Sequence, residues 1–126
     1  MSTTARPAPG TNLSIVVGTL ARGPERRELP SGESVLGLEV AVRPAIGAQE
    51  VVPVVWYGAP VAADRWSPGE QILVTGRTRR RFFQAGGVTQ SRTEVVAAVV
   101  LPTRRAAAAR SALEAAAGEV LGALDP

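Results

Sequence analysis

The sequence predicts an all-β barrel followed by a single α-helix. Three observations lead there. Five apolar, β-branched runs recur between residues 13 and 101, each ended by glycine or proline. One short helix-like segment interrupts them, between the third and fourth runs. The stretch after Pro102 is rich in alanine, with larger apolar residues at helical spacing. A chain of 126 residues suits one domain, expected at 12–103, with an N-terminal arm at 1–11 and a helical tail at 104–126.

The elements follow in order. The arm, with two prolines and a glycine but no apolar run, is expected to be flexible. Leu13 to Leu20 is the first strand, and Gly23-Pro24 breaks it. Leu29-Pro30-Ser31-Gly32 is a turn. The second strand, Ser34 to Arg43, alternates Leu36, Leu38, Val40 and Val42 against Gly37, Glu39, Ala41 and Arg43. After the loop Pro44–Gln49, the third strand spans Glu50 to Tyr57. Its alternation sets Trp56, beside two valines, towards the core and leaves Tyr57 outside. Ala59 to Trp66 is helix-like, with Trp66 plugging the core, and Ser67-Pro68-Gly69 closes it. The fourth strand runs from Gln71 to Phe83. Ala85-Gly86-Gly87 makes a hairpin turn into the fifth, Val88 to Leu101. In the C-terminal helix, Leu113, Ala117, Val120, Leu121 and Leu124 form an apolar stripe for docking on the barrel or on a second subunit. Five strands with a helix between the third and fourth is the order of the OB-fold, a five-stranded Greek-key barrel.

Composition narrows the chemistry. There is no cysteine, histidine or lysine, and all 14 basic residues are arginine. Disulfides, thiolate nucleophiles, histidine bases, Schiff bases and a Walker lysine are thereby excluded. The carboxylates Glu25, Glu28, Glu33, Glu39, Glu50, Asp64, Glu70 and Glu94 form no paired or metal-binding pattern and read as solubilising charges. No enzyme activity, cofactor or metal is expected. A net charge of +3 and a pI near 10.9 suit a polyanionic partner. No window suggests a secretory signal or a membrane span, so the expected location is cytoplasmic.

The stretch Gly76-Arg77-Thr78-Arg79-Arg80-Arg81-Phe82-Phe83 carries the most information. Alternation sets Arg77, Arg79, Arg81 and Phe83 on one face, against Thr78, Arg80 and Phe82. Guanidinium groups neutralise phosphates, and an aromatic face accepts a stacked base, so the row suits single-stranded nucleic acid. Arg92 is a further phosphate candidate. Taken alone, Tyr57 fits either stacking or packing.

These residues resemble the bacterial single-stranded DNA-binding protein family over about Asn12 to Leu101. The resemblance rests on the order and spacing of several pieces. They include Val17-Gly18-Thr19-Leu20, Gly23-Pro24-Glu25-Arg26-Arg27, Val54-Val55-Trp56-Tyr57-Gly58, Pro68-Gly69-Glu70-Gln71-Ile72-Leu73-Val74-Thr75-Gly76-Arg77, and Thr93-Glu94-Val95-Val96-Ala97. It implies an OB barrel that coats single-stranded DNA without sequence preference in replication, repair or recombination, associated with the nucleoid. It also implies assembly as a homotetramer or homodimer. Tyr57 and Phe83 match the family's stacking aromatics, Arg79 and Arg81 its phosphate contacts, and Arg27 a basic position after the first loop.

The departures set further expectations. Val51 and Pro53 replace a tryptophan and a basic residue common in the family, and the short Pro44–Gln49 loop lacks another stacking tryptophan. Weaker binding than in a housekeeping member is expected. The chain ends without the family's acidic tail, so recruitment of repair enzymes through one is not expected. Two alternatives stay open: an OB-fold interaction subunit with weak or lost nucleic-acid binding, and an RNA binder.

Overall fold

The structure is a computed structural model and describes residues 10–124. Most of the expected N-terminal arm, and Asp125 and Pro126, lie outside the described residues. The β-branched run Ile15-Val16-Val17 favours extended backbone and opens β1 (Ser14–Leu20). β2 (Glu25–Glu28) is a short strand absent from the sequence expectation, since its charged residues carry no apolar alternation. β3 (Ser34–Val42), β4 (Glu50–Tyr57), β5 (Gln71–Ala85) and β6 (Val88–Pro102) follow, then α1 (Ala106–Leu124). The expected internal helix is smaller than its sequence suggests. It is a five-residue 3-10 turn, Val61–Arg65, held between Pro60 and Trp66 in extended conformation.

The strands lie in the order β1-β5-β6-β4-β3-β2, and β1 also pairs with β3 at Thr19–Ala41 and Leu20–Val40. That extra pairing closes the sheet into an OB-type barrel, while β2 extends it beyond β3 through Arg27–Val35 and its neighbours. All pairings are antiparallel except the short β4–β6 contact. Two glycines permit close approach of strands, Gly18 at the closure and Gly76 between β5 and β6. A Cβ on Gly18 would collide with the Ala41 carbonyl oxygen, and one on Gly76 with that of Val96. Gly76 also marks an irregularity in the β5–β6 register, where the long strand bends.

The core forms from the inner faces of β1, β3, β4, β5 and β6. Leu36, Leu38 and Val40 of β3 meet Val54, Ile72, Val74, Val95 and Val100, all buried. Trp56 and Trp66 pack against this cluster with ring centroids 5.7 Å apart, so both tryptophans take the expected core positions. The 3-10 turn adds Ala63.

The C-terminal helix docks differently from its sequence pattern. Ala116 is its buried residue, and Ala112 and Ala115 line a cleft with Thr75, Gly76 and Val99 of the barrel. Most of the expected stripe points away, with Leu113, Ala117, Leu121 and Leu124 exposed, while Val120, one turn beyond Ala116, is half-buried. Adjacent helical positions lie about 100° apart, so docking through Ala112 and Ala116 turns Leu113 and Ala117 outward. Among the described residues no helix is long and apolar enough to cross a membrane.

Candidate functional site

The β5–β6 hairpin turns at Gly86 and Gly87, whose positive φ values of 59° and 80° suit a tight two-residue connection. The turn fixes the ladder. Arg79 lies opposite Glu94, Arg81 opposite Arg92, and Phe83 opposite Gln90. Residues directly opposite share a face of the sheet, so two arginines of β5, one of β6 and one carboxylate gather on the outer side of the barrel.

Glu94 is the centre of this group. Only 1% of it is exposed, and its Oε2 accepts a 2.5 Å hydrogen bond from Arg79 Nη2. Arg81 Nε lies 3.5 Å and Arg92 Nε 4.0 Å from Oε1. A carboxylate this deeply buried requires paired cations, and it has three. The expectation that Glu94 is a solubilising surface charge therefore fails. The sign of the error is physical: position 94 alternates onto the outer face, where neighbouring guanidinium groups cover it.

The aromatic rings sit at the two ends of the group. Arg79 Nη2 donates a 3.1 Å hydrogen bond to the Tyr57 hydroxyl, and its guanidinium lies 5.8 Å from the Tyr57 ring centroid. Glu94 first, and the Tyr57 hydroxyl second, hold the Arg79 pKa above its ordinary value. Arg81 lies 5.2 Å from the Phe83 centroid. Both contacts fall within cation–π range. The chain Tyr57–Arg79–Glu94–Arg81–Phe83 thus joins both predicted stacking rings on one side of the barrel, each only partly buried.

A cleft of about 250 Å³ continues from this cluster towards β2. Arg27 lines it with Arg81, Arg92 and Glu94, so the three arginines expected at the site converge. Arg22 also lines it, but pairs with Glu39 at 2.9 Å. Arg77 departs from the group. It lines the separate cleft under α1, with Asn12, Leu13 and Glu119. The right-handed twist along a long strand turns this end of β5 away from the hairpin cluster. Phe82 occupies the opposite face of β5 and is 65% exposed.

Arg26, neighbour to Arg27, faces elsewhere. Its Nε donates to both Asp64 oxygens, at 2.9 and 3.0 Å, and its Nη2 to Asp64 Oδ1 at 2.7 Å. Further bonds reach Ser34 Oγ and the carbonyls of Ala59 and Pro60. This fork latches the 3-10 turn to β2 and β3. The same guanidinium holds the Asp64 carboxyl below the usual carboxylate range.

The model of the Single-strand binding protein family matches residues 11–102, which spans the whole barrel. The chain belongs to that family. Its barrel and the partly exposed aromatic–arginine surface suit single-stranded nucleic acid in general. Within this family member, Glu94 is the site residue that sequence reasoning passed over. The signal was present: counting outward from Gly86-Gly87 sets position 94 opposite position 79.

Proposed function

We propose that this protein binds single-stranded DNA without sequence preference, by stacking bases on Tyr57 and Phe83 and by pairing phosphates with Arg27, Arg81 and Arg92. One observation carries the reading. Both rings flank a single arginine cluster on the outer face of the barrel, each against an arginine that contacts Glu94. Stacking on π-faces tolerates any base, and guanidinium–phosphate contacts ignore sequence. The reading extends to a role in replication, repair or recombination within the cytoplasm.

Assembly into a homodimer or homotetramer belongs to the same proposal. Ile15 and Val17 of β1 and Leu121 and Leu124 of α1 are exposed apolar residues that a second copy would cover. Sedimentation velocity of the full chain tests this, and a monomer at tens of micromolar would contradict it.

The binding experiment is a fluorescence-anisotropy titration with labelled oligo-dT and a matched duplex. Saturable binding to oligo-dT that weakens with salt supports the reading. Preference for duplex overturns it. An RNA oligomer of the same length, bound more tightly than the DNA, would redirect it to RNA.

A further inference from the structure

Arg79 differs from the other arginines of the cluster in how its donors are used. Its Nη2 serves both Glu94 and Tyr57, and its Nε is buried away from solvent with no partner among the described residues. Arg81 and Arg92 are more exposed, at 40% and 45% of their side chains against 28% for Arg79, and their contacts to Glu94 are longer, a 3.5 Å hydrogen bond from Arg81 Nε and a 4.0 Å approach of Arg92 Nε. Glu94, almost wholly buried, therefore spends most of its charge on Arg79. Both Nη2 donors are engaged and Nε is enclosed, which leaves only Nη1 of this guanidinium to offer a phosphate. It does have the means to fix the Tyr57 ring, because it holds the hydroxyl at one end and lies beside the ring face.

We propose that Arg79 is a positioning residue: anchored by Glu94, it orients Tyr57 for base stacking and makes no phosphate contact. This rests on the single-strand binding reading above. The phosphate contacts of the groove then fall to Arg27, Arg81 and Arg92. Glu94 acts as a fixed internal anion that withholds one arginine from the strand, and so limits the salt sensitivity of binding while holding a flat ring in place.

The salt dependence of oligo-dT binding separates the alternatives, because each phosphate neutralised on a single strand contributes about −0.7 to the log–log slope. In E94Q the anchor is neutral and Arg79 is released, so the slope steepens by about 0.7 relative to wild type. In the double variant R79Q/E94Q it returns to the wild-type value, with affinity still reduced by roughly 5-fold or more from the misplaced ring. If Arg79 already contacts phosphate, E94Q leaves the slope unchanged and the double variant is about 0.7 shallower than wild type. That pattern overturns the proposal.

A second readout needs no DNA. In the free wild-type protein, the Arg79 Nη protons exchange slowly with water by ¹⁵N–¹H NMR, and E94Q abolishes the slow signal. Fast exchange in wild type overturns the anchoring. Slow exchange without oligo-dT binding overturns the binding reading instead, so the two failures are distinguishable.

Discussion

Glu94 lies across the β5–β6 ladder from Arg79, with its carboxylate 2.5 Å from the guanidinium and almost no exposed surface. The pair links the closed sheet to the groove. It forms part of the structure of the hairpin, and it also sets which arginines remain available outside.

Its first consequence concerns stability. Arg79→Ala removes the nearest partner of a buried carboxylate and leaves Arg81 and Arg92 at longer range. Such a change costs about 3 kcal/mol, near the lower end for broken buried pairs. Urea denaturation reads it as a lower midpoint. Replacing both members by Met and Leu removes the uncompensated charge and recovers most of that loss.

Stacking makes the second prediction. Tyr57→Ala and Phe83→Ala each weaken oligo-dT binding by roughly 5- to 150-fold, the range for one lost base–aromatic contact. Phe82→Ala, on the opposite face of β5, leaves affinity close to wild type. Anisotropy titrations at one fixed salt concentration compare the three.

The Arg26–Asp64 fork predicts a pH effect. The folded state depresses the Asp64 pKa, so the fork contributes stability above the ordinary carboxylate value near 3.9. That contribution is lost as pH falls through the depressed folded value. Asp64→Asn abolishes the contribution. Thermal melts therefore separate wild type from D64N at pH 7, and the difference closes as pH falls below about 4.

The close approach of β5 and β6 supplies a fourth prediction. A methyl group on Gly76 meets the Val96 carbonyl in the closed sheet, and the backbone must shift to admit it. Gly76→Ala lowers stability by about 1–3 kcal/mol, the usual cost of overpacking. Gly118→Ala, in open space on α1, does not destabilise. Parallel urea curves for the two variants test the contrast.

The barrel was legible in the sequence where alternation was strong. Leu36, Leu38 and Val40 identify the core face of β3, and Val54 with Trp56 that of β4. The Gly-Gly hairpin was equally clear. β2 was not, because Glu25-Arg26-Arg27-Glu28 pairs through its backbone and buries no apolar face. The helix revealed its existence but not its docking side, since alanine gives little contrast between faces.

At the site, residue type and strand parity set Arg79, Arg81 and Phe83 on one face and Tyr57 outside the barrel, whereas Arg27 entered through the resemblance to the family. Parity alone could not separate Arg77, which the strand twist carries towards α1. Nor could it show that Arg79 is tied to a carboxylate from the partner strand. That fact required combining the face of one strand with the register of the next.

The most direct test of the account is the salt dependence of wild-type binding to oligo-dT beside an equal-length duplex. With Arg27, Arg81 and Arg92 as the phosphate contacts, the log–log slope is about −2 per subunit. The single strand binds more tightly than the duplex. A slope near zero, or tighter binding to the duplex, would contradict it.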